Sequence, residues 1–191
     1  ITEYSSEWKG WKYMARNKST DTGEINIVKE LVGTLLYIVF VIFAVWFILT
    51  FVGQRTEVSG SSMYDTLEDG DNLWIDKVSY RFSDPKRFDI VVFPYQDSSV
   101  YYIKRIIGLP GERIRIEQDG TIYINNEPLK ENYGYETIAA NMIGRAKNNI
   151  ILGDDEYFVM GDNRNDSKDS RFEEVGNIHR DELEGKAVFR I

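Results

Sequence analysis

From Leu31 to Val52 the chain runs for 22 residues without a charge, LVGTLLYIVFVIFAVWFILTFV, between Lys29-Glu30 and Gln54-Arg55. As a helix rising 1.5 Å per residue it reaches roughly 33 Å, matching the ~30 Å hydrocarbon thickness of a bilayer. A core helix of this length would carry a polar face, and a cleaved leader would have a shorter apolar core followed by a small-residue site. The stretch has neither, so it is expected to span a membrane. The twenty residues before it hold Lys12, Arg16, Lys18 and Lys29, while the twenty after it hold only Arg55. The flank richer in Lys and Arg stays in the cytoplasm. The expected layout is a cytoplasmic tail over 1–30 carrying Trp8 and Trp11, a transmembrane helix over 31–52 and an extracytoplasmic domain over 53–191. The chain is thus expected to be single-pass in the cell membrane. It begins with Ile1 rather than Met, so the translated start is expected further upstream.

Past Asn72 the period shortens. NLWIDKVSY, FDIVVF, VYYIKRII, RIRIE, TIYIN, EYFVM and KAVFRI are short runs rich in Val, Ile, Tyr and Phe, which read as strands. Asp69-Gly70, Ser83-Asp84-Pro85, Pro110-Gly111, Asp119-Gly120 and Asn126-Glu127-Pro128 separate them as turns. RIRIEQDGTIYIN reads as a hairpin turning near Asp119-Gly120. No helix–strand alternation points to a parallel sheet. The expected fold class is mostly β: an antiparallel sheet domain with a small loop-rich insertion over 127–155, a second lobe or a lid, preceded by one N-terminal transmembrane helix.

The formal charge of −8 sharpens this picture. The first 52 residues carry five basic and five acidic side chains, so the whole excess falls on residues 53–191. An acidic domain without clustered Lys and Arg excludes a nucleic-acid partner of the phosphate-neutralising kind. The absence of cysteine excludes disulfides, thiolate metal sites and a cysteine nucleophile.

Candidate chemistry sits in three stretches. SGSSMYDTL, residues 59–67, offers serines close behind the apolar span. The single histidine, His179, lies in the polar stretch GNIHRDELEG, which reads as a turn or short helix at the surface, so the base is sought among lysines. YYIKRIIGLPGE, residues 101–112, supplies Lys104. On a strand, Tyr102, Lys104 and Ile106 share one face while Ile103, Arg105 and Ile107 share the other. Burial among such neighbours penalises the ammonium. Bringing its pKa from about 10.4 to about 8 takes roughly 3 kcal/mol, within reach of desolvation. A neutral amine can then accept a serine proton. The strand alone also allows a lysine whose head snorkels to water. The third stretch, MGDNRNDSKDSR over 160–171, fails as a calcium loop. Counted from Asp162, position 3 is Arg164 and position 6 is Ser167, where that loop needs an oxygen ligand and a glycine. No metal or cofactor is expected.

Together the three stretches resemble the serine, lysine and third conserved boxes of the bacterial type I signal peptidases (leader peptidases), of the single-span, Gram-positive-like kind. The resemblance covers residues 31–191. It implies that Ser62, immediately before Met63, is the nucleophile and that Lys104 is the general base. It further implies that Ser167 hydrogen-bonds the Lys104 amine, that Asp162 and Asn163 shape the motif backbone, and that Asp169 pairs with Arg171 and with Arg105. Some members carry a serine donor where this chain has Gly60. Members usually carry proline where it has Asp65, a carboxylate that either points at Lys104 or faces solvent.

The activity implied is a membrane-anchored serine endopeptidase that removes signal peptides from exported preproteins after small residues of the Ala-x-Ala type. Its partners would be secreted preproteins, the lipid bilayer and the neighbourhood of the export translocon. The substrate is expected to lie extended beside residues 56–62 and 99–103. Asp65 leaves open a catalytically inactive assembly or chaperone protein on the same fold. A self-cleaving repressor of the Ser-Lys kind would need a DNA-binding domain where the apolar span lies.

Overall fold

A computed structural model describes residues 27–96 and 100–191. The tail with Trp8, Trp11, Lys12, Arg16 and Lys18, and Ser99 of the expected substrate cleft, lie outside the described residues. Helix α1 (Ile27–Phe47) is followed by a π-helical turn, Ile48–Val52. Val28–Val52 is long and apolar enough to cross a membrane, and none of it is buried. The chain divides within this helix, at Val41/Ile42, and the second unit is the β-rich one.

Seven antiparallel strands form its main sheet. They are β1 (Gly53–Glu57), β2 (Asn72–Asp76), β3 (Ile90–Pro94), β4 (Tyr101–Gly108), β9 (Glu156–Met160), β10 (Ile178–His179) and β11 (Gly185–Arg190), in the order β1-β2-β11-β3-β4-β9-β10. Their side chains alternate as period two requires. Val91, Phe93, Ile106 and Val159 pack on one face with Tyr80, Ile178 and Leu183. Leu73, Ile75 and Val92, with Ile90 and Ile103 at the margin, pack on the other face against Val58, Met63 and Leu67. Lys104 sits opposite Val91, and Arg105 lies between Ile90 and Met160. Past Ile106 the register shifts, a bulge that turns Ile107 into a third cluster.

That third cluster belongs to a smaller sheet, β7-β6-β5-β8, made of β5 (Arg113–Ile116), β6 (Ile122–Ile124), β7 (Glu127–Pro128) and β8 (Ile150–Ile151). The β5–β6 hairpin turns at Gly120, whose φ of +85° favours glycine. Residues 127–155 supply β7 and β8, and bury Ile138, Ile143, Ala146 and Leu152 against Ile107, Phe158 and Met160. The excursion is thereby packed onto the strand that leads into the third motif.

Two local readings change. NLWIDKVSY is not one strand: β2 ends at Asp76, and a helical turn, α2 (Ser79–Phe82), follows. The Asp76 carboxylate accepts the Val78 and Ser79 N–H groups at 2.8 and 3.0 Å and also the Ser79 hydroxyl. This side-chain turn competes with the ladder. Strand β1 was absent from the expected strands; its sequence GQRTE lacks the apolar alternation, and its pairing to β2 alone makes it an edge. Ile106 and Ile151 separate burial from residue type. Ile106→Ala, at 0% exposure, is expected to lose about 3 kcal/mol and about 6–12 °C of melting temperature in detergent. Ile151→Ala, at 67% exposure, is expected to shift stability by less than about 0.5 kcal/mol.

Candidate active site

The serine stretch leaves β1 and is closed at its base. The Val58 N–H donates to Asp71 O at 2.7 Å, and the Gly70 N–H returns to Val58 O at 2.9 Å. Gly60 takes φ +95°, where glycine is the unstrained residue, and its N–H donates to Asp69 Oδ1 at 2.7 Å. Tyr64 N–H to Ser61 O and Leu67 N–H to Met63 O then curl the chain into a tight turn, with Met63 and Leu67 as buried anchors. Ser62 stands at the head of that turn, partly exposed.

Lys104 comes to it from the middle of the sheet. Its Nζ lies 2.8 Å from Ser62 Oγ and 2.9 Å from Ile103 O, and 5.0 Å from the centre of the Tyr102 ring. The residue is 4% exposed. Burial is the main reason its pKa falls from 10.5 to about 8; Arg171 adds to the fall, while Asp169 and Asp162 oppose it. The amine does not snorkel.

The third stretch builds the frame around this pair. Gly161 passes so close to the serine turn that a Cβ there would lie 2.4 Å from Ser62 O and 2.3 Å from Ser167 Oγ. Asn163 ties the turn down: its backbone N–H donates to Ser62 O and its Nδ2 to Ser61 O, both at 3.1 Å. Asp162 and Asp169 are fully buried, and each holds one arginine bidentately. Arg105 reaches Asp162 through Nε at 2.8 Å and Nη2 at 2.6 Å; Arg171 reaches Asp169 through Nε and Nη2, both at 2.8 Å. Such paired forks satisfy the buried charges; the first ties β4 to the loop after β9, and the second closes that loop on itself.

Two expectations about this frame are corrected, and a third is extended. Ser167 does not bond the Lys104 amine, whose Nζ meets Ser62 Oγ and Ile103 O; the Ser167 hydroxyl donates to the Asp169 carboxylate at 2.8 Å instead. Asp169 does not pair with Arg105. Its oxygens are already filled by Arg171, Ser167 and the Gly161 N–H. Asp162 does more than shape the backbone, since it is the counter-ion of Arg105. Asp65 is exposed and is not among the charges that shift Lys104. His179 is half-exposed beside Asp155 at 3.3 Å, outside the cleft.

Sequence reading missed several supporting groups. Thr66 donates to Asp162 Oδ2 at 2.6 Å, the Tyr133 ring lies 3.8 Å under the Arg105 guanidinium, Glu131 pairs with Arg164, and Ser61 Oγ donates to Asp166 Oδ2 at 2.6 Å. Two charged residues, Arg164 and Asp166, already stood in the third motif without an assigned partner. Nothing in the local pattern marks Glu131 or Tyr133, which arrive from the 127–155 excursion and its near side.

A cleft of about 460 Å³ opens over the pair, lined by residues 56–63, residues 100–104, Asp166 and Lys168. The profile of the family described as signal peptidase, peptidase S26 matches residues 30–191. The chain belongs to that family. It is 42% identical over 149 residues to a probable signal peptidase I-2 of Synechocystis, a match spanning 75% of this chain and 65% of that protein, just under two thirds of its length. It is 34% identical over 189 residues to signal peptidase I T of Bacillus subtilis, covering 92% and 94% of the two chains. A crystal structure of a signal peptidase I from Enterococcus faecalis, 32% identical, aligns over 56% of this chain and 98% of that one with a TM-score of 0.46. Family membership thus extends over all three motifs and most of the apolar helix.

The buried amine has a consequence for stability. A lysine whose folded pKa lies near 8 and whose ordinary value is 10.5 opposes folding in full below pH 8, and the penalty fades as pH rises from 8 to 10.5. Lys104→Met removes a penalty of about 3 kcal/mol and forfeits two hydrogen bonds, for a net gain of about 1–2 kcal/mol at pH 7. Melting temperatures are expected to favour the variant at pH 7, to cross at about pH 9–10 as the penalty fades, and to favour the wild type above that.

Proposed function

We propose that the chain cleaves signal peptides from exported preproteins by a Ser62–Lys104 dyad. The observation that carries this reading is the 2.8 Å separation of Nζ and Oγ with the amine shut away from water. In the reactive state Lys104 is neutral, and the Ser62 hydroxyl donates to it. Ser62 Oγ attacks the scissile carbonyl as its proton passes to Nζ, and the carbonyl becomes an oxyanion. The Ser62 backbone N–H, which meets no acceptor among the described residues, is a candidate donor to that oxyanion. Collapse breaks the C–N bond, and the departing amine takes the proton back from Nζ. Lys104 then draws a proton from water, which attacks the ester carbonyl. The acyl–oxygen bond breaks, Ser62 regains its proton, and the signal peptide leaves as a carboxylate.

Asp162, Asn163, Ser167, Asp169 and Arg171 support this chemistry by holding the serine turn against the lysine strand. The substrate lies extended between residues 56–62 and 100–103, and the shallow, mostly apolar wall admits small side chains of the Ala-x-Ala kind. Residues 1–30 face the cytoplasm, residues 31–52 cross the bilayer, and residues 53–191 work outside, close to the lipid and to the export translocon. Tethering there raises the effective concentration of a membrane-held preprotein.

The purified chain, residues 1–191 in detergent, is expected to cut a preprotein with an Ala-x-Ala site once, after the second alanine. Ser62→Ala should lower the rate by at least about a thousand-fold. Because the neutral amine is the active form, kcat/KM should climb with pH and level off above about 8. A product formed equally by Ser62→Ala, or a rate still climbing toward pH 10, contradicts the dyad.

A further inference from the structure

The residue just before the proposed nucleophile is committed to a partner across the cleft. Ser61 Oγ donates to Asp166 Oδ2 at 2.6 Å, although the two lie 105 positions apart in the chain. Asp166 is exposed and lines the cleft that holds Ser62 and Lys104. It also lines a neighbouring open groove of about 310 Å³, which shares Asp166 and Lys168 with the cleft. A chain leaving Ser62 in that direction crosses this carboxylate.

The charges around it are unequal. The cleft wall carries Glu57, Asp166 and Lys168 besides Lys104, and Lys104 is neutral when it acts as the base. Lys168 is partly engaged elsewhere, 5.6 Å over the Tyr95 ring and 3.5 Å from its hydroxyl. The Ser61 hydroxyl satisfies only part of the Asp166 carboxylate, which accepts at both oxygens.

We infer that Asp166 is a specificity-determining residue for the proposed peptidase, favouring cationic and disfavouring acidic substrate residues close to the scissile bond. This inference rests on the reading of the cleft as a peptidase site. An exposed ion pair changes an affinity by up to about five-fold, and screening by salt weakens it.

The test uses the chain of residues 1–191 in detergent with matched peptides carrying Lys, Gln or Asp at one position: second before the scissile bond, or first or second after it. Discrimination is read as the Lys-to-Asp ratio of kcat/KM within each variant. At one or more positions the wild type is expected to favour Lys by about five-fold. Asp166→Asn, which keeps an acceptor for Ser61, should bring that ratio near one. Raising salt from about 20 mM to about 500 mM should do the same to the wild type, an arm that needs no variant to fold. Lys168→Gln should widen the ratio. A wild type without discrimination, or a ratio unmoved by both Asp166→Asn and salt, overturns the inference while leaving the peptidase reading intact. Failure to cut even the Gln peptide overturns both.

Discussion

Holding an amine out of water beside a serine hydroxyl is the constraint on which the rest of this structure depends. A lysine in water is charged at neutral pH and cannot accept a proton. Placed on β4 between β3 and β9, with Tyr102 beside it, Lys104 loses enough hydration for its pKa to fall to about 8. The same burial removes the freedom of a long side chain, leaving Nζ fixed on Ser62 Oγ and Ile103 O.

Keeping two segments 42 positions apart in that register needs a rigid frame. The third motif supplies it with two buried ion pairs set around the dyad. Asp162–Arg105 braces the lysine strand and, through Thr66, the end of the serine turn. Asp169–Arg171 fixes the turn that follows β9 and takes the Ser167 hydroxyl. Buried pairs of this kind contribute little net stability but lose several kcal/mol when one partner is removed, which suits them to fixing geometry. They also balance the field at Nζ. Both aspartates pull the lysine pKa up and Arg171 pushes it down, so desolvation keeps the upper hand.

Much of this was legible in the sequence because it rests on short-range rules. The charge-free run of 22 residues, the period-two strands and the Asp119-Gly120 hairpin are local patterns, and the structure repeats them. Lys104 stood out because its strand is apolar on both faces. What stayed hidden is long-range choice among equivalent partners. Two aspartates, Asp162 and Asp169, and two arginines, Arg105 and Arg171, permit more than one pairing, and only the folded arrangement of β4 against β9 decides between them. The Ser167 hydroxyl, expected on the Lys104 amine, goes to Asp169 through the same folded arrangement. Strand β1 escaped notice because an edge strand with the sequence GQRTE has no apolar alternation to read. The division of NLWIDKVSY depended on one side chain, Asp76, capping a turn where strand propensity was high.

The account predicts one property of one atom above all others. With lysine side chains isotopically labelled and Lys104 assigned through its loss in Lys104→Arg, the NMR titration of its Nζ should have a midpoint near pH 8. A midpoint near the ordinary value of 10.5 would mean that the amine is charged at working pH, and the proposed chemistry could not proceed through it.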